Sequence, residues 1–220
     1  MSRKENLKIK AGERSRDIGG WLSVGVDLAG SRKNWTGLCK MNANLFCETS
    51  KVKMEEEIIQ YILDADPEVI AVDAPLCMPP PNTHLRKCDR CLVEMGIHVL
   101  PPTLLGMKML TKRAMNLKEK LLEVGYRVIE VYPTGSLKIL GLPERKFGVE
   151  DLKKKLLEIG VRGLKREGLE SVHEIDAVLC ALTGIAYLTG KYIEIGSPEE
   201  CTLILPSPDF LSYITRSLKT

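Results

Sequence analysis

The sequence predicts an α/β domain in which a mixed sheet is covered by helices on both faces. Three features carry that expectation. Three strand-like segments joined by short links open the ordered part of the chain. A short, almost wholly apolar segment is then reached through a helix. From there helical and strand-like periodicities alternate. At 220 residues the chain can bury a full core without disulfide support. Its 44% apolar and 28% charged residues suit an ordinary globular protein. A net charge of +3 is too small to argue for a polyanionic partner, so only the distribution of charge can do so.

Residues 1–20 mix Lys and Arg with acids without periodicity, and are expected to form a mobile basic tail. Order is expected from Trp21. In the run WLSVGVDL, Leu22, Val24, Val26 and Leu28 alternate with Ser23, Gly25 and Asp27, the pattern of a strand. Segments Trp35–Met41 and Leu45–Val52 follow, separated by Asn42-Ala43-Asn44, and together the three predict an antiparallel meander. Met54–Leu63 has Ile58, Ile59 and Ile62 at helical spacing, and Asp66-Pro67 ends it. The apolar run Glu68–Asp73 reads as a central strand, parallel to the first because a helix links them.

Pro75 and Pro79-Pro80-Pro81 interrupt regular structure. A helical insertion is expected over about 77–125, with helices at His84–Met95 and Leu104–Val124. Strand Arg127–Tyr132, helices Val149–Ile159 and Glu174–Leu188, and a short strand at Cys201–Leu205 complete the domain, placed at 21–210 with a C-terminal tail at 211–220. This order is that of a ribonuclease H-like fold, a mixed five-stranded sheet with helices on both faces.

The chemistry-bearing residues are acids. Asp27 lies at the end of the first strand beside Ser23 and Gly25, which are too small to fill the space above them. Asp73 ends the strand expected to pair with it, roughly 5 Å away. Like charges that close call for a cation, and a hard divalent ion with oxygen ligands is the usual solution. Asp176 sits on an apolar helix, HEIDAVLCALTGIAYLTG, that must pack on the sheet through Ala177, Ala181 and Gly184, so this acid too needs a partner. His173 lies one turn earlier, and Glu130 interrupts the strand VIEVY as a possible fourth carboxylate. Each residue taken singly also has a structural explanation: a turn cap for Asp73, dipole compensation for Asp176, a helix cap for His173. Convergence of the three aspartates in one fold favours a site.

The segments GVDLAGS, VIAVDAPL, VIEVYPTGSLKILG and HEIDAVLCAL resemble the family called domain of unknown function 429, from about Val24 to Pro206. That family is described as predicted nucleases with a ribonuclease H fold. HEIDAVLCAL is also similar to the last active-site helix of Holliday-junction resolvases, where His or Asp precedes the final Asp by three residues, as His173 precedes Asp176. The resemblance implies phosphodiester hydrolysis of DNA or RNA with two Mg²⁺ or Mn²⁺ ions. Asp27 would bridge them, Asp73 and Asp176 would each complete one, and His173 or Glu130 would assist.

Substrate is expected on the insertion. Between His84 and Lys120 eight basic residues stand against three acids, a balance of about +5. Arg86, Lys108, Lys112 and Arg113 are the candidate phosphate contacts, with Leu110, Ala114, Leu117 and Leu121 as the buried stripe beneath them.

Two other classes compete. An ATP-binding phosphotransferase of the actin and sugar-kinase type also begins with an Asp on its first strand. Here, however, Asp27 is followed by Leu28-Ala29, and the glycine-bearing phosphate turn is missing. A non-catalytic nucleic-acid-binding module is the other. Cys88-x-x-Cys91, with Cys77, His84 and His98 nearby, admits a zinc reading, but no second close pair supports it and helical packing explains both. Seven cysteines used partly as small hydrophobes suit a reducing compartment, and the first 20 residues lack the apolar core of a signal peptide. A cytoplasmic protein without a membrane anchor is expected. The sequence leaves its oligomeric state open.

Overall fold

The computed structural model describes residues 20–144, 148–165 and 171–218. The expected tail at 1–20 lies outside them but for its last residue. Seven strands form one sheet: β1 (Trp21–Asp27), β2 (Thr36–Asn42), β3 (Cys47–Val52), β4 (Val69–Asp73), β5 (Val128–Val131), β6 (Tyr192–Gly196) and β7 (Thr202–Pro206). Their spatial order is β3-β2-β1-β4-β5-β7-β6. The pairs β1–β2, β2–β3 and β6–β7 are antiparallel; β1–β4, β4–β5 and β5–β7 are parallel. The meander beside parallel central strands is the ribonuclease H-like arrangement that the sequence predicts.

The helices are α1 (Glu55–Ala65), α2 (Lys87–Glu94), α3 (Leu105–Glu123), α4 (Pro133–Leu140), α5 (Val149–Glu158), α6 (Val172–Leu188) and α7 (Phe210–Ser217). Alternation divides the central strands between two layers. Val24, Val26, Ile70 and Val72 point to one face, where Ile58 and Ile62 of α1 and Ala114, Leu117 and Leu121 of α3 cover them. The opposite face receives α6, buried continuously from Glu174 to Ala186. Helices α4, α5 and α7 pack around α6.

Helix α6 approaches the sheet closely because glycines lie under it. A Cβ on Gly25 would stand 2.0 Å from the Ala177 carbonyl oxygen, and one on Gly37 would stand 1.9 Å from that of His173. The start of α6 is fixed by a capping box: Ser171 Oγ accepts from the Glu174 amide, and the Glu174 carboxylate accepts from the Ser171 amide at 2.9 Å.

Three elements differ from expectation. The sheet has seven strands rather than five, because Thr202–Pro206 extends it beside β5 and Tyr192–Gly196 pairs with β7 as an edge strand. Helix α4 has no counterpart among the expected elements, and Pro133, directly after the expected strand Arg127–Tyr132, opens it. This proline occupies the first turn of α4, where its missing N–H is tolerated. Residues 211–220 are not simply a tail: α7 covers 210–217 and sinks Phe210 and Ile214 into the core beside α6. Among the described residues no helix is long and apolar enough to cross a membrane.

Candidate metal centre at the strand ends

Asp27 and Asp73 are register partners at the carboxyl ends of the adjacent parallel strands β1 and β4. Partnered residues project to the same face, so the two carboxylates stand side by side, about 5 Å apart at the backbone. Their face is the one crossed by α6, because Ala71, two residues before Asp73, packs with Cys180 of that helix. Helix α6 therefore brings Asp176 and His173 to the same side of the sheet as Asp27. Asp176 is buried, with 3% of its surface exposed. The His173 side chain is 48% exposed, and its Nδ1 lies 2.7 Å from Asp27 Oδ2. This contact joins the end of β1 to the first turn of α6. Gly37 permits it, since it lets the His173 backbone rest on β2.

Asp27 and Asp73 line a cavity of about 220 Å³ over the strand ends. Its far wall is the insertion: Arg86, Asp89 and Leu92 come from the α2 segment, Met107 and Leu110 from α3. The insertion thus roofs the acidic edge, as a segment following Asp73 should. The residues facing the cavity are mainly apolar.

Glu130 lines the same cavity but is set apart from the aspartates. It pairs with Val72, and that register turns its side chain to the face opposite Asp73. Its carboxylate is also engaged. Oε1 accepts from Arg86 Nη2 and Oε2 from Arg86 Nη1, both at 2.7 Å, and Oε2 further accepts from the Leu76 amide at 2.7 Å. Burial pushes the Glu130 pKa up, against the pull of Arg86 and of the Leu76 amide.

Arg86, expected to bind phosphate from the surface, is instead 1% exposed. Besides Glu130, its Nε and Nη2 donate to Asp89 at 3.0 and 2.8 Å. All three charged groups are buried, and the guanidinium is the cation that both carboxylates share. It anchors α2 to β5. Arg113 also has an internal task, donating through Nη1 to the Ala29 carbonyl at 2.5 Å and through Nη2 to that of Lys53 at 3.3 Å. Lys108 and Lys112 are exposed on α3, above the buried Thr111, Ala114, Leu117 and Leu121.

The cysteines of the zinc reading separate. Cys88 packs with Leu92, Ile97, Leu203 and Leu205, and burial pushes its thiol up to about 12. Cys77 Sγ lies 2.9 Å from the Glu200 carbonyl oxygen and also meets Cys201. A hydrogen bond from Cys77, helped by Lys118, brings the Cys201 thiol down to about 7. Cys201 and Lys118 line a second cavity of about 370 Å³.

The donor set suits a hard divalent cation in kind: carboxylate oxygens, two of them in register on neighbouring strands. Among the described residues no three His, Cys, Asp or Glu side chains lie close enough to hold an ion jointly. The fold gathers the aspartates on one side of the sheet without closing them into a finished cage.

A family model, Protein of unknown function (DUF429), matches residues 25–200. The chain belongs to the DUF429 family. The match extends from within β1 through β6 and includes Asp27, Asp73 and Asp176. No curated protein matches the chain. Among solved structures, T. thermophilus RuvC in complex with Holliday junction substrate is similar at 15% identity and a TM-score of 0.48, over 76% of this chain and 96% of that one. Thermus thermophilus RuvC is similar at 14% identity and a TM-score of 0.44, with the same coverage.

Proposed function

We propose that this DUF429 protein is a metal-dependent nuclease that hydrolyses phosphodiester bonds of DNA or RNA, with Asp27, Asp73 and Asp176 holding Mg²⁺ or Mn²⁺. The observation that carries the reading is the register pairing of Asp27 with Asp73 under a helix that supplies Asp176 and His173. Two carboxylates held side by side repel unless a cation or proton lies between them, and phosphodiester cleavage is chemistry in which such a cation is productive. When bound, the divalent ion would supply Lewis acidity at the scissile phosphate and lower the pKa of a water molecule.

The protein's own contribution is positioning and proton handling. Asp27 is the best-placed ligand, since its Oδ2 is oriented by His173 and it opens on the cavity. Asp73 supplies a second carboxylate from the neighbouring strand. Asp176 supplies a third from a buried helix that cannot shift without unpacking the core. With Nδ1 directed at Asp27, the half-exposed His173 turns its Nε2 outward, where it can take a proton from, or give one to, solvent or a leaving oxygen. The insertion walls one side of the cavity, and water displaced from there by a substrate would strengthen electrostatic interactions at the strand ends.

The test is cleavage of end-labelled DNA and RNA, single-stranded, duplex and branched, with Mn²⁺ or with chelator. Wild type should cut one of them only with the metal. Asp27→Asn keeps the shape and removes the ligand charge, and should abolish cutting while circular dichroism stays unchanged. Equal cutting by the purified variant would defeat the proposal.

A further inference from the structure

We propose that Trp35, together with Lys51 and Lys53, is a stacking platform for an unpaired base of single-stranded nucleic acid, set on the same edge of the sheet as the acids. Trp35 precedes β2 directly and is 42% exposed. Lys53 Nζ lies 4.5 Å and Lys51 Nζ 5.3 Å from the centre of its ring. Among the described residues neither ammonium is within ion-pair distance of a carboxylate.

Strand register places this group relative to the site. Asp73 pairs with Asp27, Asp27 with Gly37, and Gly37 with Lys51. These four residues form one row across β4, β1, β2 and β3, and partnered side chains share a face. Trp35 and Lys53 stand one pleat beyond the row on β2 and β3, on that same face and toward the same edge. At the usual strand spacing the Trp35 position is about two pleat steps or less from Asp27, on the order of 10 Å. Between them lies Gly37, which has no side chain, and the His173 turn of α6 rests on it.

The surroundings are basic and braced. Arg32 and Lys33 are exposed on the loop between β1 and β2. Arg113 ties that loop, through the Ala29 carbonyl, to the end of β3, through the Lys53 carbonyl. The nearby acid Glu57 is occupied capping the Lys53 and Met54 amides at 3.2 and 2.9 Å. An exposed indole between lysines suits a base, because every base offers a face to stack and carries a phosphate for an ammonium. The nucleic acid must be locally single-stranded, since bases within a duplex are stacked on each other. The inference rests on the nuclease reading for where the strand leads: around the His173 turn that covers Gly37, to Asp27 and Asp73.

Trp21 and Trp35 are the only tryptophans, so a Trp21→Phe background makes fluorescence report Trp35 alone. Titration with oligo-dT and oligo-U in the presence of chelator should quench that signal to saturation. Trp35→Ala should weaken oligonucleotide binding by about five- to a hundredfold, and Trp35→Phe should recover most of it. Lys51→Glu with Lys53→Glu should lower the salt slope by about one unit for each phosphate the protein no longer neutralises. Heparin, which has charge but no bases, should bind wild type and Trp35→Ala alike. The proposal is overturned if saturating oligonucleotide leaves Trp35 emission unchanged. It is also overturned if Trp35→Ala binds oligonucleotide as wild type does, if the variant loses heparin equally, or if duplex depends on Trp35 as strongly as single strand does. Quenching in chelator without cleavage in Mn²⁺ would leave this inference standing and defeat the nuclease reading. Cleavage indifferent to Trp35→Ala would do the reverse.

Discussion

Replacing Arg86 by Met distinguishes a surface phosphate ligand from an internal brace. The side chain is buried and makes four hydrogen bonds to Glu130 and Asp89, at 2.7 to 3.0 Å. Met fills similar space but leaves two buried carboxylates without their cation. Breaking a buried pair in this way costs about 3–5 kcal/mol, a large share of the roughly 5–15 kcal/mol that holds a domain folded. With a urea m-value of about 2 kcal/mol/M, the midpoint should fall by about 2 M. Without Arg86, burial outweighs the remaining pull of the Leu76 amide on Glu130, and its carboxyl takes up a proton in the fold more readily than in the unfolded chain. A raised acid pKa makes the folded state the better proton binder, so the variant's stability falls as pH rises and recovers toward acid. The deficit should therefore be largest at neutral pH, and Arg86→Met with Glu130→Gln should regain part of it. Urea melts at several pH values measure this. A single variant within about 0.5 kcal/mol of wild type at pH 7 would rule out the buried brace and return Arg86 to the surface.

Two further outcomes follow from the placement of the remaining charges and thiols. Lys108→Glu with Lys112→Glu should weaken polyanion binding and lower its log-log salt slope by about one unit for each phosphate left without its lysine, with thermal stability unaltered; filter binding at several salt concentrations checks this. Arg113 is a poor choice for that experiment, because its substitution would release the loop carrying Ala29. Cys201 should be alkylated by iodoacetamide with a midpoint near pH 7, and Cys77→Ala should move the midpoint upward by removing the hydrogen bond that stabilises the thiolate; mass spectrometry of the labelled peptide follows both.

Much of this architecture is legible in the chain because alternation and helical spacing are local. The run from Leu22 to Leu28 separates its two faces without any tertiary information, and the Asp27–Asp73 register follows from two strands that end together. The apolar surround of Asp176 identifies a helix that must lie on the sheet. What escapes depends on partners distant in sequence. The β6 residues are only partly covered, so their alternation is weak. The α7 contribution rests on Phe210 and Ile214 in an otherwise polar segment. Alternation in VIEVY separates Glu130 from Ile129 and Val131 but cannot say which side Asp73 shares. A census of charge counts Arg86 with the surface lysines, since nothing local reveals that Glu130, 44 residues away, neutralises it. The Asp27–His173 contact spans 146 residues and depends on Gly37 admitting α6, a juxtaposition that only the folded chain displays.

Whether Asp27, Asp73 and Asp176 form one divalent-cation site is decided by Mn²⁺ soaked into crystals of wild type and of Asp27→Asn, with anomalous scattering used to locate the metal. Wild type should show a peak between the ends of β1 and β4, bonded to Asp27 and Asp73 with Asp176 completing the set, and the variant should lose it. Saturating Mn²⁺ that leaves this edge empty in a correctly folded crystal, or a peak that persists unchanged in Asp27→Asn, would contradict the assignment.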